Sequence, residues 1–318
     1  MDLRNLGRCG LRVSAVGLGC NNFGGRLDLA ASRPVIHKAL DLGITLFDTA
    51  DVYGNKGGSE TILGRVLGAR RKDVVLASKF GLTMDTAGVL QGASRRYIMA
   101  ALEASLRRLR TDWIDLYQLH TADALTPIEE TLSALDDLIR QGKVRYVGCS
   151  NLPAWQVVEA QWTARSRGFD GFIACQDEYS LIVRDAEAEL IPAMNAQGLG
   201  LLPYFPLACG MLTGKYRRGK PMPKGARITN DPSYGERYMT KANWTIVEGL
   251  AAFARARGRT LLELAVSWLL ARAPVASVIA GATKPLQVAA NAKAANWALS
   301  AEELAEVDRL CGRGAGPG

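Results

Sequence analysis

No stretch of this 318-residue chain is apolar for long enough to span a bilayer, so no membrane partner is expected. The most apolar helical stretch, residues 261–271, is too short and carries Glu263. The opening residues, Met1-Asp2-Leu3-Arg4-Asn5, lack the apolar core of a signal peptide, which makes a cytoplasmic location the expectation. None of the six cysteines (Cys9, Cys20, Cys149, Cys175, Cys209, Cys311) stands in a C-x-x-C pair. A chain this long builds a core without staples, so they read as free thiols in a reducing compartment. Dense basic runs are also missing: Arg107-Arg108 and Arg217-Arg218 are short clusters, and no nucleic-acid partner is expected despite a net charge of +8. That charge suits either anionic ligands or plain solubility. The phosphate-binding fingerprint G-x-G-x-x-G is absent as well. Gly17-Leu18-Gly19 begins it, but Asn22 stands in the third glycine's place, which argues against a Rossmann domain.

What the chain does contain is an alternation of short apolar runs with longer amphipathic ones. Val74-Val75-Leu76-Ala77 is continuously apolar, and Trp113-Ile114 and Leu116-Tyr117 are interrupted only by Asp115, as in parallel strands buried on both faces. Between them, Ile98, Leu102, Leu106 and Leu109 fall on one helical face, and Ile128, Leu132, Leu135 and Ile139 on another, with Thr126-Pro127 expected as N-cap and first-turn proline. Strand ends are expected near Leu18, Asp48, Lys79, His120, Ser150, Gln176, Tyr204 and Ala280. Most spacings are roughly 26 to 40 residues, one βα unit each. Eight units predict a closed (β/α)8 TIM barrel over residues 1–311, preceded by an N-terminal β-hairpin from Leu3 to Val13. Ser300-Ala301-Glu302-Glu303 reads as a capping box opening an extra C-terminal helix, and residues 312–318 as a disordered glycine-rich tail. Residues 210–240, rich in Gly, Pro, Lys and Arg, break the rhythm and are expected to form a long loop over the barrel mouth.

In such a barrel the chemistry sits where the strands end. Three successive ends deliver Asp48 and Tyr53, then Lys79, then His120. A phenol is a poor acid near neutrality, and a cation beside it makes its proton easier to give. Lys79 can supply the cation, Asp48 can keep that lysine charged, and His120 can orient a substrate oxygen. The set fits protonation of a developing alkoxide, that is, carbonyl reduction of a small-molecule substrate. Singly, each residue has a blander reading: a structural ion pair, a packed tyrosine, or a satisfied surface or core histidine such as His37 in the helix after Arg33-Pro34. Hydride transfer needs a nicotinamide, and the rim offers a seat. Ser150, Asn151 and Gln176 can hold a carboxamide, and Tyr204 can stack on the ring. The turn Gly281-Ala282-Thr283-Lys284-Pro285 opens a helix with exposed N–H groups and Lys284 beside them, a ready phosphate site. Pocket shape should depend on Cys20, Asn22, Phe23, Val52 and the 210–240 segment.

At these residues the chain resembles the aldo-keto reductase superfamily, over nearly its whole length. The likeness rests on Gly10-Leu11-Arg12-Val13-Ser14, Phe47-Asp48-Thr49-Ala50-Asp51-Val52-Tyr53-Gly54 and Gly142-Lys143-Val144-Arg145-Tyr146-Val147-Gly148-Cys149-Ser150-Asn151. Gln176-Asp177-Glu178-Tyr179-Ser180-Leu181 and residues 207–216 point to the branch holding bacterial reductases and potassium-channel β subunits. The resemblance implies NADP(H) as cofactor and a catalytic tetrad at Asp48, Tyr53, Lys79 and His120. It implies nicotinamide contacts at Ser150, Asn151, Gln176 and Tyr204, with Gly19, Cys20, Asn21 and Asp48 near the ribose end. Phe205, Pro206, Leu207, Ala208, Cys209, Lys215 and Arg227 would follow the diphosphate, and Gly281, Thr283, Lys284, Gln287 and Asn291 would surround the adenosine phosphate. Phe205 stands where a serine is common, and Ala290 where an acidic residue often meets the adenine. Two other readings stay open: Lys79 as a Schiff-base lysine, and a slow-turnover regulatory or redox-sensing subunit that binds NADP(H).

Overall fold

The computed structural model describes residues 1–312, so the tail expected to be disordered lies, beyond Gly312, outside the described residues. The hairpin forms as expected: β1 (Leu3–Asn5) and β2 (Arg12–Ser14) pair antiparallel, Leu3 opposite Ser14. Eight parallel strands follow: β3 (Val16–Gly19), β4 (Leu46–Asp48), β5 (Val75–Phe80), β6 (Ile114–Leu119), β7 (Val144–Ser150), β8 (Ala174–Glu178), β9 (Gly200–Tyr204) and β10 (Val278–Gly281). Each pairs with its sequence neighbour, and β10 returns to pair with β3. The ring is completed at Leu201, whose N–H donates to Pro274 and whose carbonyl accepts from Ala276, both at 2.9 Å. This is the predicted (β/α)8 barrel.

Two apolar layers hold it together, because each strand is covered on both faces. Inside, Leu46, Ala77, Leu116, Ala174 and Leu202 meet Leu6 and Val13 of the hairpin, which plugs the floor. The fit there is backbone against backbone: a Cβ on Gly200 would lie 2.6 Å from the Gly7 nitrogen. Outside, the strands bury their other faces under a ring of helices. These include α1 (Leu29–Asp41), α2 (Tyr53–Leu67), α3 (Arg95–Leu109), α4 (Ile128–Arg140), α5 (Ala154–Arg167) and α6 (Leu190–Gln197). In α3 the expected face, Ile98, Leu102, Leu106 and Leu109, is buried, and Ser94 caps it by accepting from the Tyr97 N–H.

Two helix starts differ from expectation. α1 starts before Arg33-Pro34, because Asp28 accepts from the Ala31 N–H and sets the first turn there; of the surface and core readings left open for His37, the structure shows it exposed. α4 starts at Ile128 with Pro127 as its N-cap, and Thr126 does not cap it: the Thr126 hydroxyl donates to Asp123 instead, at 2.8 Å. After β9 the segment 210–240 is not one loop. It contains α7 (Arg227–Asn230) and α8 (Ser233–Tyr238), and it buries Tyr216, Ile228 and Tyr238. Then come α9 (Lys241–Ala256) and α10 (Leu261–Leu270), and after β10 α11 (Pro285–Lys293) and α12 (Ala301–Leu310). α12 opens with the predicted capping box, Ser300 and Glu303 exchanging hydrogen bonds. No helix among the described residues is long and apolar enough to cross a membrane.

Candidate active site

The four polar residues expected at the strand ends meet at one rim. Asp48 closes β4, and the chain then enters α2 through a turn in which Gly54, Asn55, Lys56 and Gly57 all have positive φ. Only glycine fits at 54, since a Cβ would stand 2.2 Å from the Phe23 carbonyl oxygen. This turn sets Tyr53 at the rim. Lys79, fully buried on β5, donates three hydrogen bonds of 2.8 Å, to both carboxylate oxygens of Asp48 and to the Thr49 carbonyl. Its ammonium lies 5.0 Å from the centre of the Tyr53 ring, and the His120 ring meets that tyrosine edge-on at 5.6 Å. Gln176 donates to Asp48 at 2.8 Å, fixing the carboxylate from the far side of the barrel.

Burial and charge decide the protonation states. Desolvation alone would strip Lys79 of its proton, but Asp48 and Tyr53 outweigh it and its pKa is raised, so the residue is a cation. Burial pushes the Tyr53 phenol up, and the opposing pull of Lys79 does not reverse this. The expected net acidification of Tyr53 is therefore not what the surroundings produce; the tyrosine is kept protonated. Burial and then Lys79 drive His120 down to about 3, so its imidazole is neutral, and its Nδ1 is buried without a partner.

A groove of about 680 Å³ runs from Tyr53 and His120 across the barrel mouth to α11. The rim residues expected from the sequence line it, except Ala208 and Lys284; Lys79 lies beneath its surface. The start of α11 differs from expectation. The Thr283 and Lys284 N–H groups that lead into it are not free, because the Gln287 side chain accepts from them at 2.7 Å and 3.1 Å, and the Lys284 side chain is exposed. Phe23 and Val52, expected to shape the pocket, do not line the groove, and Phe23 is a core residue. Asn151, at φ 57, donates to the His120 carbonyl at 3.0 Å and accepts from the Tyr204 hydroxyl at 2.8 Å.

The chain matches the model of the aldo/keto reductase family over residues 15–311. It is 39% identical, over 92% of this chain and 91% of that protein, to a probable voltage-gated potassium channel subunit beta of Oryza sativa subsp. japonica. It is 36% identical to the uncharacterized oxidoreductase YrpG of Bacillus subtilis, covering 96% of this chain and 94% of that one. To the L-glyceraldehyde 3-phosphate reductase of Escherichia coli K12 it is 34% identical, over 97% of this chain and 92% of the relative. This chain belongs to the aldo/keto reductase family.

Three contributors to the site of this aldo/keto reductase were not read from its sequence. Gln118 approaches Asp48 at 3.5 Å from β6, with its amide oxygen buried and unpartnered. Its signal was parity, since it shares the barrel-inward side of its strand with Leu116. Arg26 lines the groove and donates to the Gly225 carbonyl at 3.1 Å, bridging the β3 loop to the 210–240 segment. Tyr234, on α8, also lines it. Neither carries a sequence pattern, because only tertiary folding brings them there. Among the described residues, the groove's Arg26, Lys215 and Arg227 have no carboxylate partner. Burial and then Arg26 lower the Lys215 pKa, the mark of cations crowded together where an anion would be welcome.

Proposed function

We propose that this oxidoreductase reduces aldehydes or ketones to alcohols with NADP(H). The observation that carries the reading is the junction of two features in one groove: a buried Lys79–Asp48 pair beneath Tyr53 and His120, and unpaired cations further along. The dimensions and donors suit a dinucleotide. On this reading Ser150, Asn151 and Gln176 would face the carboxamide, Tyr204 the ring, and Arg26, Lys215 and Arg227 the phosphates, all of them residues that line the groove. The bound nicotinamide would supply the hydride. The protein's part is the proton. Tyr53, protonated at any working pH, gives its proton to the carbonyl oxygen as alkoxide character develops there. An alkoxide is a far stronger base than a phenolate, so the transfer runs downhill even from a phenol whose pKa is raised. Lys79 then compensates the phenolate, held charged by Asp48. Neutral His120 donates a hydrogen bond to the substrate oxygen without competing for the proton.

Lys79 as a Schiff-base nucleophile fits less well, because its three donors are all engaged and the amine would have to be neutral. A slow-turnover regulatory subunit is the second reading, favoured by relatives named as channel β subunits. Steady-state turnover with a panel of aldehydes separates it from a working reductase. The direct test is Tyr53→Phe. Its kcat for carbonyl reduction should fall by roughly 10²–10⁴ while NADPH affinity stays nearly unchanged. Retained turnover in that variant removes Tyr53 from the mechanism.

A further inference from the structure

Phe205 follows β9 directly and sits at φ 47. Left-handed backbone is a genuine outlier for a bulky side chain, and such strain persists only where the surroundings over-determine it. Here they do. The Ala208 N–H donates to the Phe205 carbonyl at 2.8 Å. The Phe205 ring stands edge-on to Tyr204 at 5.3 Å and to Tyr234 at 5.7 Å. Arg227 sits in the corner that the perpendicular Phe205 and Tyr234 rings make, its guanidinium carbon 5.1 Å from the Phe205 ring centre and 5.3 Å from that of Tyr234. Tyr234 in turn stacks on Tyr238 at 6.4 Å. The Tyr238 hydroxyl donates to one oxygen of buried Glu178 at 2.5 Å, and Arg237 donates to the other.

We propose that Phe205 and Tyr234 form an aromatic bracket that positions Arg227 to bind an anionic phosphate of the cofactor, a role resting on the NADP(H) reading above. Arg227 has no carboxylate partner, and none of its side-chain N–H groups donates a hydrogen bond among the described residues, although it lines the groove. An acidic partner would fix the arginine only by neutralising it and occupying its donors. Ring faces fix it by the quadrupole and leave the planar fork of donors free. Phe205 is thus a positioning residue: it touches the arginine, which touches the phosphate. Phe205 leaves β9 at this strained φ with its ring against Arg227, and Glu178 anchors the second ring, Tyr234, through Tyr238.

A double-mutant cycle on the full chain tests this, with NADP⁺ and NADPH binding measured by calorimetry. Phe205→Leu keeps apolar bulk and removes the π face, and should weaken binding roughly tenfold. Phe205→Tyr restores the face and should bind within about twofold of wild type. In an Arg227→Met background Phe205→Leu should have no further effect, because the group it positions is gone. Tyr234→Leu, which strips the other face, should show the same coupling to Arg227 and stands in if the Phe205 variant folds poorly. Unchanged binding in both leucine variants, or losses that multiply with that of Arg227→Met, overturn the bracket. Wild-type protein that binds neither NADP⁺ nor NADPH overturns the cofactor reading itself, a separate and recognisable outcome.

Discussion

Asp51, two residues before Tyr53, is almost fully buried, and only one of its carboxylate oxygens has a partner, the Tyr97 hydroxyl at 3.2 Å. Burial first, and then the neighbouring Glu60, raise its pKa from 3.8 to about 7. Glu60 is itself held by Arg108 at 2.7 Å and by the Ser78 hydroxyl at 2.5 Å, so it cannot move away. The consequence for stability has a definite sign. Between the unfolded and folded pKa values the folded state binds more protons, so stability falls as pH climbs from about 4 to about 7 and levels off above. Asp51→Asn removes the titration and keeps an oxygen for Tyr97. Its advantage over wild type should be small near pH 4 and grow to the order of 2–4 kcal/mol at pH 8. Urea unfolding at several pH values measures this, and an offset that does not change with pH would contradict it. This carboxyl was invisible as such in the sequence, where it reads as one letter of the 47–54 motif. The tetrad was legible because strand ends in a barrel converge on one rim. The protonation of Tyr53 was not, because the lysine's pull could be seen in the letters and the burial opposing it could not.

At the scale of elements, residues 210–240 were legible as an exception and illegible as a structure. Their composition announces a loop, but α7 and α8, of four and six residues, are too short to show a helical period. They are held by tertiary contacts: Ile228 and Tyr238 are buried, and Glu178 at the end of β8 grips Tyr238 and Arg237. The start of α4 departs from expectation for a local reason: Asp123, three residues back, takes the Thr126 hydroxyl that would have capped the helix. At Ser300 and Glu303, also three residues apart, the expected cap forms. Between the anchored ends, Arg217, Arg218, Lys220 and Lys224 are exposed, and Gly225 is tied to Arg26 across the groove. A bound diphosphate would draw this strap down by charge-assisted hydrogen bonds to Lys215 and Arg227. Trypsin should therefore cut after those four exposed residues more slowly with saturating NADPH than without it. Glu178→Gln, which weakens the anchor, should speed cleavage in the absence of NADPH. Cleavage rates indifferent to NADPH would leave the segment as plain surface rather than a strap over the cofactor.

The whole molecule carries a net charge of +8, and its groove adds an uncompensated local field from Arg26, Lys215 and Arg227. NADPH differs from NADH by a 2′-phosphate, so both the field and any direct contact favour NADPH, but they respond differently to salt. Exposed charges are screened over about 30 Å at 0.01 M ionic strength and about 3 Å at 1 M. Hydrogen bonds from partly buried donors survive that change. At the adenosine end Thr283, Gln287 and Asn291 line the groove, while Lys284 is exposed. Gln287 already occupies the N–H groups of Thr283 and Lys284, so a phosphate arriving there must displace it. The preference should then rest more on charge than on preformed donors. We expect NADPH to bind about 10- to 100-fold more tightly than NADH at low salt, the range of one charge-assisted hydrogen bond. The ratio should contract severalfold as potassium chloride rises from about 0.02 M to about 0.5 M, with most of the loss on the NADPH side. A ratio that holds constant across that range would mean the 2′-phosphate is gripped by buried donors instead. A preference for NADH at low salt would mean that the basic groove does not reach the phosphate at all.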